Sequence, residues 1–429
     1  MDERFILDSF KTLRASLSLL ATRRFGTFWF SSFLSSIGTW AQQVAEPWLL
    51  LTLGASPFLI GLDSFAADAP VWLLTLAGGV LADRADRRRV IAGFQSIQML
   101  CPAAIVLLLV TGLIRPWMII VLSVVVGVTD ALSMPSFQSI VPSLVSHEDV
   151  GRGLALNSTQ FNLSRVLGPT LAGVLMSSAG AVACFVVSAV SYAPFIGVAL
   201  WILPRWTPPA SRAEPSSSQR HLLSGIGSIL RQPHLRGALL TVFATGVLCA
   251  PLITFTPVLV KDVFHGGAVR FSMALVAFGA GGLMGAAGLL STPASVDLRR
   301  LSAGFAIAYG LVLVTVALNP WSWALLPLLV MAGASTTISN TAANSLLQAT
   351  ASPQLLGRTV SLYMLAIRGG ASIGALVTGL AISMLGVQHA LLFDGVAAVA
   401  VQAALARMWF QAPLPASGVS ALTVSRTSA

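Results

Sequence analysis

Glu46, Asp63, Asp68, Asp130, Arg165 and Arg368 are ionisable residues that lie inside long apolar stretches of this chain. Charge in such surroundings is costly, so each group needs a partner or a polar cavity, and such groups typically hold protons, ions or polar ligands. Hairpin counting compares their depths. From a turn centred near Ala55, Glu46 stands nine residues back and Asp63 eight residues on. Two carboxylates at one depth could share a proton, loading and releasing it in turn. The alternative places Asp63 near a surface and solvated. Asp68 is deeper, close to the level of Gln42 and Gln43, and is expected to line a cavity. From a turn near His147, Asp130 lies 17 residues before and Arg165 lies 18 after. At about 1.5 Å rise per residue they reach nearly the same depth. Either they line a cavity as a pair or they form a static structural pair, and spacing leaves both open. Pro47, directly after Glu46, frees a backbone carbonyl and bends its helix.

These side chains need elements to carry them, and composition says which. Of 429 residues 55% are hydrophobic and only 9% charged, against roughly a quarter charged in soluble domains. Such a chain needs a bilayer as its solvent, which makes it an all-α polytopic membrane protein. Apolar runs fall near 27–52, 57–81, 89–113, 117–141, 153–178, 181–203, 237–260, 269–291, 301–319, 321–346, 359–384 and 387–410. Twelve transmembrane helices are therefore expected, with the fifth and eleventh the least apolar. The net charge of +10 sits in short loops, which argues for sidedness across a membrane rather than for nucleic acid. Of the 25 Lys and Arg residues, 20 fall on the side of both termini. That side is expected to be cytoplasmic. Arg115, Lys261 and Arg270 lie opposite.

The hydrophilic stretch 204–236 reads as a linker between two six-helix pseudo-symmetric halves, 27–203 and 237–410. Segments 1–26 and 411–429 are expected to be cytoplasmic. Ile6, Phe10, Leu13, Leu17 and Leu20 follow helical spacing, which fits a helix on the membrane surface or a solvated tail. A shift of 206 residues aligns 127–173 with 333–379 without a gap, pairing Gly127 with Gly333 and Arg152 with Arg358. Such parallel repeats place a central site at the interface of the halves.

Other chemistries find little support. Ser372 sits in a Gly-x-Ser-x-Gly pattern, but inside a helix rather than at a strand-to-helix turn. His147, His221, His234, His265 and His389 fall in loops or at span ends. There is no His-Glu-x-x-His and no Gly-Lys-Ser/Thr phosphate loop. Cys101, Cys184 and Cys249 lie in separate runs as packing residues. No enzyme, metal or cofactor is expected.

One loop is dense in charge: "GGVLADRADRRRV" carries six charged residues among the seven from Asp83 to Arg89. Gly79, Asp83, Arg84, Arg87, Arg88 and Arg89 resemble the loop signature of the major facilitator superfamily, which usually has glycine where Asp86 stands. "SSIGTWAQQVAEPWLLL", "MPSFQSIVPSLV" and "ALNSTQFNLSRVLGPTLAG" resemble its branch of enterobactin exporters and macrolide efflux proteins. Gly168, Pro169 and Gly173 are similar to a family motif tied to export by antiport, with Ala172 replacing one glycine. A family arginine tied to proton coupling has Ser123 at its place.

The resemblance implies a secondary active transporter exporting a small amphipathic molecule, siderophore or drug-like, by alternating access and proton antiport. It implies a monomer in the lipid bilayer of a bacterial inner membrane, with a small-molecule substrate and protons as partners and no nucleic acid. An uptake carrier or uniporter of the same fold is the alternative, and a non-transporting sensor is the alternative of another class. The loop is then a gate: Asp83 meets the start of span eleven near Gly357 and Arg358, and Arg87 to Arg89 pair with Glu148 or Asp149. Gly281, Gly285 and Gly288 are expected to let span eight approach a neighbour closely. Trp40 and Trp48 are expected either at a lipophilic substrate or at the membrane interface.

Overall fold

The structure, a computed structural model, describes residues 18–203, 227, 231–293, 296–351 and 356–411. Most of the linker, nearly all of the C-terminal tail and most of the first 20 residues, including the proposed surface helix from Ile6, lie outside the described residues; the last residues of the expected linker, from Pro233, already belong to the seventh span's helix.

Twelve principal helices follow in order: α1 Arg23–Thr52, α2 Pro57–Arg84, α3 Arg87–Val110, α4 Pro116–Leu144, α5 Val150–Ser178, α6 Ala181–Trp201, α7 Pro233–Leu248, α8 Ala268–Leu290, α9 Leu298–Leu318, α10 Leu325–Thr350, α11 Leu356–Leu385 and α12 Val387–Gln411. No strand occurs among the described residues. Backbone groups in a bilayer must be satisfied within their own segment, and helices do this. Ten helical stretches are long and apolar enough to cross a membrane. The long helices outside that set are α1 and α5. Their polar residues lower their hydropathy: Thr39, Gln42, Gln43 and Glu46 in α1, and Asn157, Gln160, Asn162 and Arg165 in α5. The expectation for the fifth run therefore stands, whereas the eleventh is ordinarily apolar and the first is the more polar one.

The two sets of turns use different chemistry. The turns after α1 and α11 pass through Gly54 (φ 78) and Gly386 (φ 82), a left-handed conformation that a side chain would strain. The turns before α3 and α9 instead use aspartate. Asp86 accepts from the Arg88 backbone N–H at 3.1 Å, and Asp297 accepts from that of Arg299 at 2.9 Å. The two sequences, Asp-Arg-Arg-Arg and Asp-Leu-Arg-Arg, place an N-cap and the same two arginine positions in each half. Arg88 Nε lies 3.7 Å and Arg89 Nε 3.9 Å from the Asp86 carboxylate. Asp86→Ala is expected to cost about 1 kcal/mol and Asp86→Asn much less, since asparagine also caps. Thermal unfolding in detergent measures both. Asp297 is partly buried, which opposes ionisation, but hydrogen bonds from Arg299 and the charges of Arg299 and Arg300 hold its carboxyl below the usual range. Its contribution is present above the ordinary carboxylate pKa and is lost as pH falls through the lowered value.

By contacts the chain divides into two units. The first combines residues 1–212 with 254–279; the second combines 213–253 with 280–429. In the first, α2 packs along α4, and α1 packs on α5 and α6. Phe25, Phe28, Ile91, Ile140 and Phe195 form a core at one end of this bundle. Backbones meet closely where α2 crosses α4: a side chain on Gly127 would strike the Ala67 carbonyl. In the second, α9 packs on α10 and α12, and α7 on α11. Leu235, Tyr363 and Trp409 belong to its core.

Span seven is not a continuous helix. After α7 ends at Leu248 come short turns, Pro251–Thr254 and Thr256–Val258, then a π-helical turn, Leu259–Val263. Pro251 and Pro257 lack the N–H that a continuous helix needs. Residues after the break pack within the first unit. The Phe271 ring stacks on Trp48 with centroids 5.3 Å apart, and Lys261 Nζ donates to the Leu51 carbonyl at 3.2 Å. Trp48 is thus a packing residue, whereas the exposed Trp117, Trp201, Trp321 and Trp323 suit an interfacial belt.

Of the span-eight glycines, Gly281 and Gly285 lie against the α10 backbone at Val330 and Ala334, as expected, but Gly288 faces open space.

Candidate functional site

The N-terminal half brings Glu46 and Asp63 together on one hydroxyl. Pro57 starts α2 a few residues after α1 ends, so the two helices return side by side and level the carboxylates. From α4, Ser123 Oγ lies 2.8 Å from Glu46 Oε1 and 2.7 Å from Asp63 Oδ1. The same oxygen lies 3.1 Å from the carbonyl of Ile119, one turn back in its own helix. A serine carries one hydroxyl proton, so it can donate to one of these acceptors at a time. Gln42 Nε2 reaches Glu46 Oε2 at 3.4 Å, and Gln42 Oε1 accepts from Ser188 Oγ at 2.8 Å. The chain Ser188–Gln42–Glu46–Ser123–Asp63 therefore links α6, α1, α4 and α2.

Asp63 is 6% exposed, so the reading of a solvated surface carboxylate does not hold. Among the described residues no lysine or arginine forms an ion pair with Glu46 or Asp63. Two carboxylates around one hydroxyl, with no ion-paired cation among the described residues, form a unit suited to carrying a proton, because two uncompensated charges this close in an apolar bundle repel strongly.

A second cluster lies along α1 and α5. Arg165 sits over the Trp40 ring, 5.4 Å from its centroid, and Phe161 meets the same ring edge-on at 5.9 Å. Gly168 makes this possible, since a side chain there would run into the Trp40 Cβ. The helices are also cross-linked by polar contacts: Trp29 Nε1 donates to the Leu156 carbonyl at 2.9 Å, and Gln160 Nε2 donates to Ser36 Oγ at 2.9 Å. Thr39 and Tyr192 hydroxyls share a 2.9 Å bond between α1 and α6. Gly173 packs on α8, where a Cβ would come 3.0 Å from that of Ser272.

Other expected residues are placed as follows. Asp68 and Asp130, both partly buried, flank the α2–α4 contact at Ala67 and Gly127. Gln43 is exposed and does not join Gln42, its neighbour in sequence. Arg368 is partly buried in α11, and Pro169 in α5. The packing of Gly79 and the side chains of Asp83 and Arg84 lie outside the described structure. Arg87 is partly buried at the start of α3. Arg88 Nη1 donates to the Leu200 carbonyl at 2.9 Å, tying α3 to the end of α6. Asp149 pairs with Arg152 at 2.7 Å rather than with Arg88 or Arg89, because a partner three residues on is always in reach. Ser146 and Arg152 together hold the Asp149 carboxyl below its usual range.

Two contributors escape sequence reasoning. Ser123 stands out in the sequence for the arginine it replaces, not for its own hydroxyl. Asp394 lies within the twelfth run, where any census of carboxylates finds it; it is 6% exposed and accepts from Thr378 Oγ1 at 2.6 Å.

A family model described as "Transmembrane secretion effector", of the major facilitator type, matches residues 14–423. The chain belongs to the major facilitator superfamily. This facilitator is 26% identical over 263 residues to the staphyloferrin A transporter of Staphylococcus aureus (strain NCTC 8325 / PS 47), covering 60% of this chain and 64% of that one, under two thirds of its length. It is 23% identical over 378 residues to macrolide efflux protein A of Streptococcus pyogenes, covering 87% and 92%. With the enterobactin exporter EntS of Salmonella choleraesuis (strain SC-B67) identity is 26% over 375 residues, covering 85% and 87%. Among solved structures, the nucleoside transporter NupG superposes with a TM-score of 0.71 at 13% identity, covering 91% of this chain and all of that one. A bacterial homolog of the human lysosomal transporter Spinster gives 0.68 at 16%, covering 94% and 99%. These likenesses show the fold. The facilitator is a multi-pass membrane transporter and not an enzyme.

Proposed function

We propose that this facilitator exports a small amphipathic molecule, siderophore-like or drug-like, by alternating access, and that protons entering in exchange bind at Glu46 and Asp63. The observation that carries the reading is the Ser123 hydroxyl shared by the two carboxylates, which pair with no lysine or arginine among the described residues. A group that must load and release a proton works best with no permanent counter-charge. The names of the relatives support the direction: two are an exporter and an efflux protein.

Arg165, Trp40 and Phe161 are the proposed substrate contacts, with Asp130 as the acid that steadies Arg165 at its depth. A guanidinium over an indole offers a flat face and a charge together, which suits an amphipathic ligand. Asp68, Gln42, Gln43 and Arg368 complete the polar pathway of this reading. The distribution of Lys and Arg supports a plasma-membrane protein with both termini in the cytoplasm.

Expression in an efflux-deficient bacterial strain tests the reading, scored by resistance to macrolides and by secretion of siderophores. Arg165→Ala is expected to abolish the gain while surface expression stays normal, and Arg165→Lys to restore only part, since lysine loses the planar stacking face. Unchanged efflux by Arg165→Ala removes Arg165 from the substrate path.

A further inference from the structure

The C-terminal half holds a buried carboxylate that the Glu46–Asp63 site does not use. Asp394 lies in α12, seven residues from its start, and Thr378 in α11, seven residues before its end. Both stand about 10 Å below the Gly386 turn, at about 1.5 Å per residue. Thr378 Oγ1 donates to Asp394 Oδ2 at 2.6 Å, and Asp394 Oδ1 has no hydrogen-bond partner among the described residues.

The break in span seven faces the same place. A helix needs the N–H of residue 251 to bond the Val247 carbonyl, and residue 251 is proline. The Cys249 and Ala250 N–H groups both turn back to the Thr245 carbonyl instead. The freed Val247 carbonyl points at α11, where only the absence of a side chain on Gly374 lets the backbones meet. Gly374 is one turn before Thr378. Cys249, at the break, lies within electrostatic reach of the Asp394 carboxylate.

The titratable groups packed here are few. From α7 comes the free thiol of Cys249, from α9 Tyr309 beside that thiol, and from α11 the non-titrating Thr378. Among the described residues no cation and no second carboxylate interacts with Asp394. The internal repeat strengthens the point. A shift of 206 places Asp394 on Ser188, the residue that holds Gln42 and through it Glu46. The same position in each half is thus a buried hydrogen-bonding group, neutral in one and acidic in the other.

We propose that Asp394, Thr378 and the interrupted backbone of span seven form a second proton-binding site, separate from Glu46 and Asp63. A hydronium ion gives its proton to Oδ1 and leaves as water, so one O–H bond breaks and one forms, while Thr378 keeps its hydrogen bond to Oδ2. Interrupted membrane helices present backbone carbonyls that serve small cations, and here the interruption sits beside the acid. Loading the site neutralises the charge next to the joint of span seven.

Infrared difference spectra of the full chain in lipid nanodiscs, taken across a pH titration, test this without any substrate. The wild type is expected to show a protonated-carboxyl band that titrates, lost in Asp394→Asn but kept in the Glu46→Gln/Asp63→Asn double variant. Thr378→Val is expected to move that band in frequency without removing it, which covers the case of a misfolded Asp394→Asn. A band absent from the wild type, or present and unchanged from mildly acid to strongly alkaline pH, overturns the proposal. So does a titration that shifts when choline replaces sodium, since the site then takes the alkali ion. A titrating band that persists in Asp394→Asn, or that vanishes in the Glu46→Gln/Asp63→Asn double variant, assigns the proton to the other pair and likewise overturns the proposal, so the two sites are told apart.

Discussion

Replacing Asp63 with asparagine is expected to lower efflux driven by a pH gradient at least about tenfold, equivalent to about 1.4 kcal/mol, with normal amounts of protein in the membrane. Glu46→Gln should do the same. The two acids share the Ser123 hydroxyl, so neutralising either leaves one carboxylate with no rival charge and removes the exchange on which proton release depends. Ser123→Ala keeps both acids but deletes their link. It should slow efflux less, because water can replace a hydroxyl where space allows. Ser123→Arg should be as damaging as losing an acid. It sets a permanent positive charge between the carboxylates, and both then stay ionised. Proteoliposomes with an imposed pH gradient measure all four. Gradient-driven efflux that is indifferent to Asp63→Asn and Glu46→Gln would remove the pair from coupling.

The largest expected effect on folding is that of Gly281→Val. A side chain there runs into the Val330 carbonyl, which is backbone and cannot rotate away. Helix α8 must then separate from α10, at a cost on the order of 1–3 kcal/mol or more. Helix association in lipid has no hydrophobic drive and depends on such close contact. Gly288→Val, one position of the same glycine series, meets nothing and should be tolerated. Detergent extraction followed by thermal unfolding distinguishes them: the first variant should melt at lower temperature or aggregate, the second should behave as wild type.

Much of the fold is legible because a bilayer imposes one length and one polarity on every span. Counting residues from a turn works for Glu46 and Asp63 because adjacent helices of a hairpin rise at the same rate. It cannot reach Trp40 under Arg165, because depth says nothing of which face of α5 turns to α1. Ser123 is hidden for a different reason. A mid-helix serine usually bonds its own preceding turn, as Ser123 also does at Ile119, so its sequence looks ordinary. The caps at Asp86 and Asp297 are readable in principle, since aspartate directly before a helix is a standard start signal. The neighbouring arginines, with their stronger signal of sidedness, conceal them. Pro251 announces an interruption in span seven, but only the packing of Gly374 on Val247 shows what the interruption faces.

The division of span seven bears on how the chain can be cut. A fragment ending within 204–236 would carry α1 to α6 but not residues 254–279, which belong to the same unit. Trp48 would lose the ring of Phe271, the Leu51 carbonyl at the end of α1 would lose Lys261, and Gly173 would lose Ser272. Such a fragment leaves an apolar strip bare and is a poor candidate for independent production. Two fragments made together can restore the strip, with the second chain acting as a clasp for the first.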